Sequence, residues 1–148
     1  MRARAVVLAV AIALAPLGAR AADLVVWWNK GYNAQEDEAV RETIAAFEQN
    51  TGKRVELVFH PEQELPDRVV AAVEAGEPPD FVFSIVIIRD DAQWAYEGRL
   101  VDLSVAVGHF SDLFDPDALD SVTLLDGTTG RRGLYLLPMG LASNHVHV

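Results

Sequence analysis

The chain is predicted to be an α/β protein, a mainly parallel sheet flanked by helices. Three observations carry that expectation. Residues 24–59 run strand, aromatic-rich loop, amphipathic helix, strand. A second helical stretch then separates them from the apolar run Phe81 to Ile88. Each connection is long enough for a crossover, so right-handed βαβ units follow. Ligands in such sheets sit where strands hand over to loops at their carboxyl ends. The first handover carries Trp27, Trp28, Asn29, Lys30 and Tyr32, side chains suited to gripping a polar ligand.

The elements follow in order. Strand 1 is Leu24 to Trp28. Asn33 is placed as a helix N-cap, with Glu36 at capping-box spacing. The helix runs to about Gln49 with Val40, Ile44 and Phe47 as its buried stripe, and Gly52 stops it. Strand 2, Arg54 to Phe59, alternates as an edge or half-exposed strand would. Pro66 sits near the start of a second helix, Leu65 to Ala75, ended by Gly76. Phe81 to Ile88, apolar apart from Ser84, reads as a central strand buried on both faces.

The second half is less regular. Asp91 to Gly98 suits a short helix in which Trp94 packs against the sheet. Asp115-Pro116 supply the N-cap and first residue of another helix. Residues 125–130 read as a turn between Val122-Thr123-Leu124 and the apolar Leu134-Tyr135-Leu136-Leu137. Ser143 to Val148 looks like a strand beginning, so the chain is expected to be the front part of something longer.

Arg2 and Arg4, the apolar run Ala5 to Leu17 and Ala19-Arg20-Ala21 compose a secretory signal, with cleavage expected before Ala22. The apolar run is too short to span a bilayer stably, so residues 22–148 are expected to be exported and soluble, without membrane insertion. The chain has no cysteine, so its stability must come from a packed core rather than disulfides. Of 12 basic and 22 acidic residues, the signal holds Arg2, Arg4 and Arg20 and no acid. The remainder then carries nine basic against 22 acidic residues, a charge of −13 that repels nucleic acid and anionic lipid. The length allows one domain, expected to be monomeric.

Five stretches, in order, resemble a known family. They are LVVWWNKGYN from Leu24, FEQNTGKRV from Phe47, GEPPDF from Gly76, YEGRLVDL from Tyr96, and Leu136-Leu137-Pro138-Met139. The chain resembles the extracellular solute-binding proteins of ABC importers, in the sugar-binding group. The resemblance implies a periplasmic-binding-protein-like (type II) fold of two lobes joined by a hinge, with a carbohydrate held between them. It implies that residues 22–148 are an incomplete N-terminal lobe, that the location is periplasmic, and that ABC permease subunits are the membrane partners. Ser84 and Ala142 stand where maltodextrin binders of this group carry an aromatic and a carboxylate, so that specificity does not carry over.

Strands 1 and 3 are expected to be neighbours with their helices on opposite faces, so that residues 29–33 and 87–91 flank one crevice. Sugars present apolar C–H faces and a rim of hydroxyls. Trp28, favoured over Trp27, or Tyr32 can stack on the face, while Asn29, Lys30 and Glu36 serve the rim. Ser84 is a further candidate above the sheet, although such a serine more often hydrogen-bonds locally. Met139 and Asn144 are candidates through the resemblance alone. The first turn of the helix holds Glu36, Asp37 and Glu38, which cancel its positive end and favour a neutral polyol over an anion.

Other readings are an exported glycosidase, for which no carboxylate pair stands out, and a metal-binding protein using His60, His145 and His147. No nucleophile elbow, phosphate loop or zinc-protease motif occurs, and no cofactor is expected.

Overall fold

The computed structural model describes residues 22–85 and 88–138. Its first half is a three-stranded parallel sheet of order β2-β1-β3, built from β1 (Leu24–Asn29), β2 (Val55–His60) and β3 (Phe81–Phe83). The first crossover is α1 (Ala34–Thr51) and the second is α2 (Leu65–Ala75). They lie on opposite faces, because the chain steps first to one side of β1 and then back across it.

Asn33 caps α1 as its spacing predicts, and Gly52, at φ 68°, closes it in the left-handed conformation that glycine adopts without strain. The inward stripe is shifted from the expected one. Asp37, Val40, Ile44 and Glu48 face the sheet, whereas Phe47 is 39% exposed on the shoulder. Glu48 faces inward because it has a partner there: its Oε1 accepts the Val55 N–H at 2.7 Å.

Side chains also pin the amino ends of the strands. Asp80 donates its N–H to the Val25 carbonyl at 2.9 Å and accepts the Val25 N–H on its carboxylate at 2.8 Å. Asp23 accepts the Arg54 N–H at 2.9 Å. These contacts prolong the ladders beyond the strands and hold their register.

One face of the sheet is dry. Leu65 and Val69 of α2 pack with Ile88 and Trp94, and Trp27, Val82, Val70, Val73 and Leu100 close around them. Trp94 is thus the packing residue that its position in α3 (Asp91–Tyr96) suggests. The opposite face carries an aromatic file in which Trp28 stacks on Phe83, ring centroids 4.2 Å apart, and on Phe81 at 6.3 Å.

Strand β3 departs from expectation. It has three residues, lies at the sheet edge among the described residues, and leaves Phe81 42% exposed. Its pairing with β1 ends at Trp28 opposite Phe83, one residue before β1 itself ends, and beyond it the Ile85 N–H goes to the Asn29 side chain instead of to a ladder carbonyl. Ile88 then turns back into the core instead of extending the strand.

Beyond α3 come α4 (Ser104–Gly108), a 3-10 turn (Ser111–Leu113) and α5 (Pro116–Ser121), which Asp115 caps by accepting the Asp117 N–H at 2.9 Å. A hairpin follows, β4 (Thr123–Asp126) with β5 (Arg131–Leu134), three residues earlier than the apolar segment suggests. Asp126 makes the difference. Its carboxylate accepts from the N–H and hydroxyl groups of both Thr128 and Thr129, so the turn tightens around it. Those hydroxyls and amides hold its pKa down to about 2.

Two outcomes follow. Leu65 is fully buried, so Leu65→Ala should cost about 2–5 kcal/mol in chemical denaturation. Burial, aided by the neighbouring Asp90 charge, pushes Asp91 up to about 6. A carboxyl raised on folding weakens the fold at neutral pH, and the penalty fades as pH falls from about 6 toward the ordinary carboxylate value. Asp91→Asn should therefore raise the melting temperature at about pH 7 and lose that advantage near about pH 4. A lower melting temperature at neutral pH would contradict this account of Asp91.

Candidate functional site

The carboxyl ends of β1 and β3 meet at Asn29. This residue is only 4% exposed, and its Oδ1 accepts the Ile85 N–H at 2.6 Å. The contact ties two strand ends together and fixes which way the amide faces. The other half of the group, Nδ2, is buried and has no hydrogen-bond partner among the described residues. A native fold rarely leaves such a donor idle, and a site that binds an acceptor is one reason to keep it.

The amino end of α1 forms the adjoining wall. Asn33 Oδ1 accepts the Glu36 N–H at 3.1 Å. The Glu36 carboxylate in turn accepts the Tyr32 N–H at 3.0 Å and the Asn33 side-chain amide. Asp37, 7% exposed, accepts the Gly31 N–H at 2.8 Å. These contacts leave no room at position 31. A Cβ there would stand 2.6 Å from the Glu36 Cβ, so glycine is required by close approach.

Carboxylates therefore already occupy the Gly31 and Tyr32 N–H groups of the loop, and the Asn33 carboxamide holds the Glu36 N–H of the first turn, groups that would otherwise attract an anion. The pattern matches the electrostatic argument from sequence, with the acids holding backbone rather than merely lining it.

Between these walls lies an open concavity of about 360 Å³, its mouth included. Trp28, Asn29, Lys30, Gly31, Tyr32, Glu36, Asp37 and Val40 line it from β1 and α1, and Phe83 and Ile85 from β3. Trp28, with a ring face on Phe83, forms part of the floor rather than a free-standing platform. Trp27 points to the other side of the sheet, where it meets His60 and the α2 core.

Tyr32 is the exposed aromatic of the rim, 82% accessible, and its hydroxyl donates to Glu62 at 3.2 Å. That hydrogen bond, together with the Glu62 charge, pushes the phenol pKa up. Lys30 is exposed on the lip, and its backbone N–H donates to the His60 carbonyl at 2.8 Å.

Five of the eight expected site residues thus share one concavity: Trp28, Asn29, Lys30, Tyr32 and Glu36. Ser84 sits between two lining residues without lining the concavity itself. Met139 and Asn144 lie outside the described residues, as do His145, His147 and the signal segment. Among the described residues the second lip is formed by Ile85 rather than by residues 88–91, Ile88 being buried in the core, and position 87 lies outside the described residues. Among the described residues no group of three or more histidines and acids is placed to hold a metal, and no helix is long and apolar enough to cross a membrane.

Sequence reasoning missed Asp37 and Ile85. Helical spacing could have found Asp37, which shares a face with Val40 and Ile44 at i+3 and i+7. Ile85 carried no signal within its apolar run.

No curated protein sequence matches the chain. Among solved structures, an ABC transporter solute-binding protein from Thermotoga lettingae TMO bound with α-D-tagatose superposes with a TM-score of 0.56. It is 24% identical, and the match covers 68% of this chain and 26% of that one. The Thermus thermophilus maltotriose-binding protein bound with maltotriose gives a TM-score of 0.55 at 22% identity, covering 75% of this chain and 28% of that one. The chain therefore spans little more than a quarter of the length of these proteins. Likenesses at this identity establish the periplasmic-binding-protein-like α/β fold. Residues 13–145 match the model of the bacterial extracellular solute-binding proteins, and the chain belongs to that family.

Proposed function

We propose that this chain is part of the substrate-capturing component of an ABC importer, with a neutral carbohydrate as its ligand. The observation that carries the reading is the buried Nδ2 of Asn29, without a partner among the described residues, at the carboxyl end of β1 beside a concavity whose neighbouring loop N–H groups are held by carboxylates. Such a wall repels an anion, and movement of the Ile85 lip would uncover the amide as a donor to a hydroxyl or ring oxygen. The tagatose- and maltotriose-bound structures support a sugar as the ligand class.

The fraction of those proteins that this chain covers supports reading residues 22–148 as a partial N-terminal lobe. Residues 1–21 are read as the export signal that delivers it to the periplasm, where permease subunits are its partners. Tyr32, Lys30 and Ile85 border the opening and Trp28 contributes to its floor. Hinge closure between lobes would complete the enclosure and present the loaded form to the permease.

The chain by itself presents an open, one-sided surface, so its sugar affinity should be millimolar or weaker. Amide-resolved NMR titration detects binding in that range. Residues 29–33 and Ile85 should shift with at least one neutral sugar from a panel. Glucuronate and glucose 6-phosphate should leave them unmoved, and chromogenic glycosides should not be turned over. Response to the anions alone, or glycoside turnover, would overturn the assignment, and micromolar affinity would contradict the one-sided geometry. Asn29→Ala should abolish the sugar response and cost about 1–3 kcal/mol, since the Ile85 N–H loses its acceptor. Asn29→Asp keeps that acceptor but replaces the free donor by an oxygen, so it too should abolish the response.

A further inference from the structure

A second buried nitrogen lies beneath the site. His60 ends β2, and its ring packs on the Trp27 indole with centroids 4.6 Å apart and planes at 60°. Its Nε2 is sealed from solvent and has no hydrogen-bond partner among the described residues. The His60 carbonyl accepts the Lys30 N–H at 2.8 Å, so the same residue supports one lip of the concavity. We propose that His60 is an acid-sensitive latch, whose protonation loosens the junction of β2 with Trp27 and with the Lys30 lip.

The charges around it set the direction. Helix α2 presents Arg68 and Glu64, which pair with each other at 2.8 Å. Strand β1 presents the uncharged Trp27, and the loop after β1 contributes the exposed Lys30. Glu62, on the β2–α2 connection, accepts from the Tyr32 hydroxyl. Desolvation first, and then the Arg68 guanidinium, hold the imidazole pKa below its ordinary 6.5, against the smaller opposing pull of Glu64. The indole π cloud would attract a cation, yet a protonated ring would hold a sealed N–H with no acceptor.

The sign follows from linkage. A histidine with a lowered folded-state pKa leaves the unfolded chain binding more protons, so stability falls as pH drops below 6.5 toward the folded value. Asp91, raised to about 6, acts oppositely over an overlapping range. The informative quantity is therefore the difference between wild type and a His60 variant.

The test has two parts. Ring-proton NMR of the wild-type chain, with the His60 signal assigned from its loss in His60→Gln, should place the His60 midpoint below 6.5. Thermal melts of wild type, His60→Gln and His60→Phe at about pH 7 and about pH 5 should show a larger loss in the wild type, by a few degrees. Phe keeps the aromatic packing and removes the titration. A midpoint at or above the ordinary value, or equal losses in all three proteins, would overturn the proposal. If neither variant folds, His60 is assigned by ring-to-ring NOEs to Trp27, and its midpoint in the wild type decides alone.

Discussion

Everything around the site depends on the hydrogen bond from the Ile85 N–H to the buried Oδ1 of Asn29. Two parallel strands diverge into separate loops at their carboxyl ends, and ladder pairing offers nothing beyond the last matched residues. A short polar side chain at the end of β1 prolongs the connection, replacing the missing ladder bond by a side chain-to-backbone bond. Because the carboxamide spends its acceptor on this task, its donor has a fixed direction, and it has no partner among the described residues. Structural support and the proposed ligand recognition would thus be two halves of one group.

The acidic surplus has a related explanation. Asp23, Glu48 and Asp80 each accept a backbone N–H near the amino ends of the strands. Glu36 and Asp37 do the same in the loop that leads into α1. Carboxylates near a helix amino terminus also meet a favourable dipole, so the arrangement stabilises the loop while removing its attraction for anions. Exposed pairs such as Arg41 with Glu38 at 3.4 Å contribute little by comparison. In this chain net charge is a poor guide to the site, whereas the few acids that hold backbone are informative.

Local signals were legible where they act over a few residues. Asn33, Gly52, Pro66, Gly76 and Asp115 marked helix ends because capping and left-handed turns need specific residue types at fixed offsets. The run Phe81 to Ile88 was misleading for the converse reason. Apolar character cannot tell one long strand from a short strand whose run ends in a core residue, and the three-residue pairing of β3 with β1 and the burial of Ile88 decided between them. Phe47 yielded the inward face of α1 to Glu48 because a carboxylate that finds a backbone N–H can be buried at less cost than hydrophobicity suggests. In the candidate site, the β1 loop was readable as a contiguous polar and aromatic patch. Ile85 became visible only when position 29 met position 85 in space.

The sequence by itself determined the βαβ order, the parallel sheet with helices on both faces, the helix ends, and the segment from Trp28 to Glu36 as the centre of the candidate concavity. Periodicity, capping and right-handed crossover geometry act locally or through universal chirality, so they can be read from a string of residues. Only the tertiary structure decided that Asn29 is both clasp and idle donor, that Trp28 is floor rather than platform, and that Trp27 rests on His60 behind it. Those roles depend on which distant residue arrives opposite each side chain. A single chain read in order carries no record of that meeting.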